Sequence, residues 1–249
     1  MVAIQYTERG PAARIGAAGG ALTRAALAAM EAPAHFDPHP WRWRIDDDRA
    51  ALIADHGRRA PDDPDGRLLT VSCGAALHHA VTALAGDGVG VDVRRLPDAA
   101  EPGLLAIVRC TGPIGTSSRS LRLHRAIAMR RSDRRPPTDA PIDASAEGLL
   151  RAAAQGAGGG LCPLLPSAGR FAITTADDGP RDWLGAGEAL SAVLLNATAE
   201  GLATRVEEFL PAEDATRLAW SLPAGAGRPA VVVGIAPAGR LSGGGGARR

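Results

Sequence analysis

The sequence contains no lysine, and each of its 28 basic side chains is an arginine. Without lysine there is no side-chain amine to form a Schiff base with a carbonyl substrate or with pyridoxal phosphate, and no P-loop lysine to contact a nucleotide. The absence therefore excludes lysine-dependent aldolases, pyridoxal-phosphate enzymes and P-loop nucleotidases.

Aromatic residues are also scarce, at 3% of the chain, and 28 basic residues are balanced by 27 acidic ones. Binding to nucleic acid normally needs a basic surface for the phosphates, and single strands need aromatic platforms on which bases stack. We therefore expect no nucleic-acid partner.

Only three cysteines are present, Cys73, Cys110 and Cys162, and their wide spacing forms no CxxC pair. This spacing argues against a disulfide framework and against a zinc knuckle, and it favours a reducing cytoplasm. The longest apolar stretches are interrupted by histidine, glutamate or asparagine, so we expect no membrane-spanning segment.

The 249 residues, with 45% hydrophobic side chains, allow one large domain or two small ones. Apolar spacing predicts helices over 21–30, 74–86, 121–131, 145–155 and 182–200, with Ser145 as a helix N-cap. Strands are predicted at WRWRI, VGVDVRRLP, GLLAIVRC, RFAITT and PAVVVGIAP. The segments 46–66 and 156–166 are predicted to be irregular.

An internal repeat relates the two parts of the chain. At a constant offset of 113 residues, GAALHHAVTALAGDGVGVDVRRL aligns without gaps on GEALSAVLLNATAEGLATRVEEF, which pairs Gly74 with Gly187 and Leu77 with Leu190. Each copy follows a helix and a strand and precedes a hydrophobic strand. The pattern predicts two halves that share a core, although chance agreement between two alanine-rich helices is the alternative. We divide the chain into a flexible arm (1–20), a first half (21–120), a second half (121–240) and a disordered tail (241–249).

The segment RRSDRR, residues 130–135, places four guanidinium groups and one hydroxyl at the end of a predicted helix. Guanidinium groups suit phosphate oxygens, so this segment is a candidate site for a phosphorylated cofactor. The alternative is a solvated charged turn in which Asp133 pairs locally.

A second candidate is the proline-rich segment APAHFDPHPW, which contains His35, Asp37 and His39. Its prolines prevent the helical geometry that would direct both imidazoles at one ion, so we expect no metal site. A rigid, extended loop that presents backbone groups to a flat ligand is the favoured interpretation.

The adjacent histidines His78 and His79 lie on a predicted helix, where their side chains point roughly 100° apart. We expect both to be structural, in the core or at an interface. Cys73, at the start of the same helix, is expected to be a small buried hydrophobic residue and not a nucleophile.

Four stretches together resemble a known family: APAHFDPHPWRWRI; SCGAALHHAVTALAGDGVGVDVRRLPD with the preceding PDDPDGR; AIAMRRSDRRPP; and WLGAGEALSAVLLNATAEGLAT. They cover most of residues 21–205. The chain resembles the flavin-binding nitroreductase superfamily and, within it, the internally duplicated Acg-type branch, here with a shortened lid region.

The resemblance implies an α+β fold, a nitroreductase-like α/β/α sandwich with a mixed sheet, built from two pseudo-subunit halves. It also implies one FMN per chain, bound between the halves, with hydride passing from NAD(P)H through the flavin to a nitroaromatic, quinone or similar acceptor. No catalytic side chain is named, and the protein is expected to be a monomer or a homodimer. The implied cofactor-binding residues are Pro33, Ala34 and Asp37 from the first half, Arg130, Ser132 and Arg134 from the second, Glu207 and Glu208 near flavin N5, and Arg240.

The sequence also departs from the family pattern. Ala34, Asp37 and His39 replace the serine, asparagine and glutamine of the family's loop, and a short ADDGP turn replaces the helical lid. Two alternatives to the enzyme therefore stay open, namely a non-catalytic protein that sequesters FMN and a degenerate, cofactor-free member with a structural or partner role.

Overall fold

The computed structural model describes residues 4–6, 16–36, 38–132, 140–166 and 169–238. Its helices are α1 (Ala17–Ala28), α2 (Arg67–Gly86), α3 (Ser118–Ser132), α4 (Ala144–Gly156), α5 (Pro180–Ala199) and α6 (Ala212–Ala219). Its strands are β1 (Ile4–Tyr6), β2 (Trp41–Ile45), β3 (Arg49–Ala54), β4 (Val89–Arg95), β5 (Leu104–Pro113), β6 (Gly160–Pro163), β7 (Arg170–Thr175), β8 (Leu202–Phe209) and β9 (Arg228–Pro237). Short 3₁₀ turns lie at Ala29–Glu31 and His56–Arg58.

The strands form two sheets. The first has the order β1-β2-β3-β5-β4, and it is mixed because β1 runs parallel to β2 while the other pairs are antiparallel. The second has the order β6-β7-β9-β8 and is antiparallel throughout. The predicted combination of helices with a mixed sheet is confirmed, and the structure adds a second sheet that a single sandwich does not include.

Helices α2 and α5 pack along each other between the sheets, α2 against β3, β4 and β5, and α5 against β7, β8 and β9. Two glycines allow their backbones to touch. A Cβ on Gly74 would lie 2.0 Å from the carbonyl oxygen of Leu184, and one on Gly187 would lie 1.9 Å from that of Val71. No larger side chain fits at this crossing, so glycine sets the distance between the two helices.

The offset of 113 residues seen in the sequence also relates α2 to α5. Both helices have 20 residues, and each end of α5 lies 113 positions after the matching end of α2. The crossing is reciprocal, since each glycine approaches the carbonyl of the residue three positions before the other glycine. Such mutual contacts are the pattern of an interface with two-fold symmetry.

Four strands in the described part of the chain were not predicted, namely β1, β3, β6 and β8. β3 (Arg49–Ala54) lies in the segment expected to be irregular, and β6 (Gly160–Pro163) lies in the glycine-rich segment 156–166. β3 is an interior strand with nearly every residue buried, so it lacks the alternation of a half-buried strand. β3 is the last strand before α2, and β7 is the last strand before α5, so β7 corresponds to β3. The repeat had instead paired β7 with WRWRI, which is β2.

Several boundaries also differ from the prediction. Asp143, not Ser145, is the N-cap of α4, and its side chain accepts the N–H of Ala146. Within the arm predicted as flexible, residues 4–6 form a strand, and α1 begins at Ala17. The proposed boundary at residue 120 falls in the first turn of α3, and the tail 241–249 lies outside the described residues.

By length and composition alone, α2 is the one helix in the described part of the chain that is apolar enough to cross a membrane. Of its most apolar stretch, 83% is buried against the rest of the protein. A helix that is apolar on all sides is also expected in a protein core.

Candidate functional site

The chain leaves α1 through the 3₁₀ turn Ala29–Glu31 and enters a bend at Ala32–Pro40 that leads into β2. The backbone N–H of His35 donates to Ser72 Oγ at 3.1 Å, which fixes the bend to the first turns of α2. Phe36 packs against the apolar clusters of both sheets. The bend therefore lies where the cores of the two sheets meet.

Arg130, in the last turn of α3, reaches the entrance to this bend. Its guanidinium Nη2 donates to the carbonyl oxygen of Glu31, two residues before Pro33. Burial lowers the pKa of Arg130 below its ordinary value, and the neighbouring Glu31 opposes this shift. Arg130 is thus not a solvated surface charge, and the structure brings it to the bend containing Pro33 and Ala34.

The remaining members of the arginine-rich and loop motifs are described only in part. The backbone of Ser132 ends α3, and its side chain is outside the described part of the chain. Arg134, Asp37 and Arg240 also lie outside the described residues.

Glu207 and Glu208 are placed on β8, on the face of the second sheet away from α5. Glu207 accepts a hydrogen bond from Arg170 Nε at 2.8 Å, and Glu208 lines a groove beneath α6. The bend instead meets the next residue of the strand, since the rings of His35 and Phe209 lie edge to face with centroids 5.7 Å apart. The structure therefore does not bring the two glutamates together with Arg130.

His79 is fully buried on α2, beside Arg130. Its Nδ1 lies 3.1 Å from the carbonyl oxygen of Ala75 and 2.7 Å from Ser191 Oγ. Because a carbonyl oxygen only accepts, Nδ1 carries the ring proton and Ser191 Oγ also accepts from it. Burial, then the charge of Arg130, then His78 hold the pKa of His79 well below its usual value, so the ring is neutral.

Ser191 connects this ring to its sequence neighbour. Its Oγ is 2.7 Å from Nδ1 of His78. Because Ser191 accepts from His79, its hydroxyl hydrogen is free to be donated to Nδ1 of His78. Burial, followed by the charge of Arg95, lowers the pKa of His78 to about 4. The two histidines point apart as predicted, yet one hydroxyl from α5 joins them across the helix crossing.

Two buried polar atoms at this site have no hydrogen-bond partner among the described residues, namely Nε of Arg130 and Nε2 of His79. Buried polar atoms are normally paired, because leaving one unpaired costs ~1–3 kcal/mol. Nε of Arg130 is a donor, and Nε2 of His79 is an acceptor in the tautomer assigned above. The arrangement is suited to a polar ligand that can both accept and donate.

Sequence reasoning did not select Ser72, Ser191 or Phe209, and it treated His79 as purely structural. A signal for Ser191 was present, because the offset of 113 aligns it with His78. Equivalent residues of two related helices meet where those helices cross near a two-fold axis. For Ser72 and Phe209 the partners come from the tertiary fold, and no local pattern marks them.

Cys73 is fully buried, and burial raises the pKa of its thiol far above the ordinary value. The prediction that it is a buried hydrophobic residue is confirmed. In the part of the chain that the structure describes, no three His, Cys, Asp or Glu side chains are grouped to hold a metal ion.

Comparison with known proteins finds relatives over part of the chain. No protein-family model matches the chain. Over 135 residues, 53% of this chain, it is 38% identical to "Putative NAD(P)H nitroreductase Rv3131" of Mycobacterium tuberculosis. It is 34% identical over 125 residues to "Putative NAD(P)H nitroreductase acg" of the same organism.

The chain is thus similar, over about half of its length, to proteins named as putative NAD(P)H nitroreductases. An uncharacterized protein of the same bacterium, Rv3127, is 30% identical over 126 residues, 49% of this chain. The matched region spans only 38% of the length of each of the two nitroreductase-named relatives and 36% of Rv3127. The resemblance inferred from the four sequence stretches is thus confirmed at the level of the superfamily.

Proposed function

We propose that the chain is an internal pseudo-dimer that binds one FMN at the bend and acts as an NAD(P)H-dependent oxidoreductase of the nitroreductase type. The observation that carries this proposal is the guanidinium of Arg130 at the entrance to the Ala32–Pro40 bend, in a chain related to that superfamily. Two segments whose contacting residues are 99 positions apart meet there, as a site shared between two halves requires.

The residues present fit a flavin nucleotide in charge and in hydrogen bonding. Arg130 retains a buried N–H donor for a phosphate or carbonyl oxygen, and His79 retains a buried acceptor nitrogen for an N–H group. Ala34, packed against the core of the first sheet, and Phe36, packed against the cores of both sheets, offer apolar surface beside Pro33. We propose that Ser132 and Arg134 extend this donor set and that Asp37 and Arg240 contribute at its edges.

Bound FMN would supply the hydride chemistry, accepting two electrons from NAD(P)H and passing them to the acceptor. The protein's own residues would bind and orient the flavin and would exclude water from it. Arg130 would hold an anionic group, and Ser72 fixes the bend through the backbone of His35. The carbonyl of Ala75 fixes the tautomer of His79, and Ser191 helps to fix the orientation of its ring. In the neutral ring of His79, the Nδ1 proton points toward the Ala75 carbonyl and Ser191 Oγ, and Nε2 is left as an acceptor.

The test is the visible absorption spectrum of the purified chain with and without added FMN, followed by anaerobic addition of NADPH or NADH. The proposal predicts a yellow protein whose flavin is bleached by a nicotinamide and reoxidised by a nitroaromatic or a quinone. A yellow protein that resists nicotinamide reduction would support the flavin-sequestering alternative. A colourless protein that FMN does not stabilise against heat would support the cofactor-free alternative, since a specific ligand raises the melting temperature.

We also propose the two halves as 21–120 and 121–240, supported by the shared 20-residue length of α2 and α5 and by their reciprocal glycine contacts. Cytoplasmic location and a monomeric or homodimeric state are parts of the same proposal. The three cysteines are free thiols, which agrees with a reducing compartment.

A further inference from the structure

A cavity of about 650 Å³ lies where α2, α3, α4 and α5 meet beside the end of β4. Neither Arg130 nor any residue of the bend lines it, so it is separate from the proposed flavin site. Part of its wall is apolar, formed by Val81, Leu123 and Ala192 from three different helices. Its volume is within the range of roughly 300–1,000 Å³ that small-molecule sites occupy.

An ion pair between a buried glutamate and a partly exposed arginine forms one side of the cavity. Glu188 on α5 is only 4% exposed, and Arg95 at the end of β4 holds both of its carboxylate oxygens, with Nε–Oε1 at 2.6 Å and Nη2–Oε2 at 2.7 Å. These two parallel hydrogen bonds compensate the lost hydration of the buried carboxylate, and they raise the pKa of Arg95 above its ordinary value. The pair is therefore a neutral part of the wall.

Two further arginines leave the cavity with an excess of positive charge. Arg119, in the first turn of α3, and Arg181, in the first turn of α5, both line it and are exposed. Among the described residues neither has an ion-pair partner. The lining also holds Asp182, which accepts the backbone N–H of Asp177 at 3.3 Å and keeps its negative charge, so three arginines face two carboxylates and the excess is one positive charge. Planar guanidinium groups bind carboxylate and phosphate oxygens through paired N–H donors.

We propose that this cavity is a second binding site, which takes an organic anion with a carboxylate or phosphate group and an apolar body. Arg119 and Arg181 bind the charged group, while Val81, Leu123 and Ala192 contact the apolar part. The inference does not depend on flavin binding, because no residue that carries it belongs to the bend.

Calorimetric titration of the full chain tests this site with three probes of similar size, namely phenyl phosphate, benzoate and neutral benzyl alcohol. We expect one or both anions to bind and benzyl alcohol to bind at least tenfold more weakly. Arg119→Gln and Arg181→Gln should each weaken the anion about tenfold, the effect of losing roughly 1.4 kcal/mol. The stronger of the two anions identifies the preferred charged group.

Two control variants make the result specific. Arg122→Gln removes a charge on the same helix that lies 3.5 Å from Glu200 and does not line the cavity, so affinity should be unchanged. Arg130→Gln should also leave it unchanged, whereas loss of binding in that variant would place the anion at the bend. Equal affinity for the three probes, or no effect of Arg119→Gln and Arg181→Gln, would overturn the proposal.

Discussion

Arg67, the first residue of α2, is a charge buried to 3% exposure that ties the first half of the molecule to the second. Its Nε donates to the carbonyl of Leu210 at 3.0 Å, its Nη2 donates to that of Pro229 at 2.8 Å, and its Nη1 pairs with Asp178. Burial lowers the pKa of this arginine, and the nearby carboxylate of Asp63 opposes the shift. Buried guanidinium groups persist only where such acceptors compensate their lost hydration.

Replacing Arg67 by methionine should therefore destabilise the protein strongly. The change keeps the apolar stem but leaves the carbonyls of Leu210 and Pro229 without this donor, and each such buried acceptor costs about 1–3 kcal/mol. Asp178 loses its ion-pair partner but is partly exposed and still accepts from Trp183 Nε1. Urea unfolding followed by circular dichroism measures the loss. Arg59→Met, at an exposed position, is the matched control and should change the free energy of unfolding by about 0.5 kcal/mol or less. Similar values for the two variants would argue against Arg67 as a tie between the halves.

His78 and His79 predict how stability depends on pH. Both have pKa values lowered by burial, that of His78 to about 4, against 6.5 for an exposed histidine. Between these values the unfolded chain binds more protons than the folded one, so stability is greatest above pH 6.5 and falls as the pH drops toward 4.

Each buried histidine should steepen this fall by up to ~1.4 kcal/mol per pH unit. Urea midpoints measured at pH 7.5, 6.5, 5.5 and 5.0 give the slope. The double variant His78→Gln, His79→Gln should flatten the slope even where it lowers stability overall, and His56→Gln, at an exposed residue, should leave it unchanged. An unchanged slope in the double variant would mean that the two rings are accessible to protons in the folded state.

At the scale of whole elements, the crossing of α2 and α5 determines how the halves meet. Gly74 and Gly187 allow backbone-to-backbone contact, and the His78–Ser191–His79 hydrogen bonds lie one turn further along the same helices. Close packing excludes water from these polar groups and makes each hydrogen bond harder to replace.

Substituting Gly74 by alanine tests this crossing. The added methyl would lie 2.0 Å from a backbone carbonyl oxygen, which cannot move without separating the helices, so we expect a loss of about 3 kcal/mol or more in unfolding free energy. Gly148→Ala on α4 is the matched control. A Cβ there meets nothing within 4 Å, and alanine favours helix, so that variant should gain about 0.5–1 kcal/mol. A stable Gly74→Ala protein would show that the helix crossing is looser than described.

The elements that sequence reasoning found are those with a strong local pattern. The long apolar helices α2 and α5 and the strands β2, β4, β5, β7 and β9 carry such patterns, and their existence was predicted correctly. β3 lies directly after three aspartates and is buried on both faces, so neither its surroundings nor its periodicity marks it. That Arg130 lies near the bend at Pro33 was expected only through the family resemblance, because nothing in either segment alone specifies the other.

At the scale of the molecule, the chain combines two sheets with a shared layer of helices and places its candidate sites at the junctions. The two sites lie on different faces of α2. His79 is beside Arg130 at the bend, and His78 lines the anion cavity near Arg119. The sequence alone could identify the motifs and the repeat. It could not place Glu207 and Glu208, because a bulge in β8 between Val206 and Glu208 changes the alternation of faces.

A titration of FMN fluorescence with the purified chain asks whether Arg130 at the bend holds FMN, as we propose. We expect saturable binding that Arg130→Gln weakens about 10- to 100-fold, the effect of losing a hydrogen bond to a charged group. Arg125→Gln, an exposed position on the same helix, should bind FMN like the unmodified chain. Absence of saturable binding by the unmodified chain, or equal affinity of a folded Arg130→Gln protein, would contradict the claim.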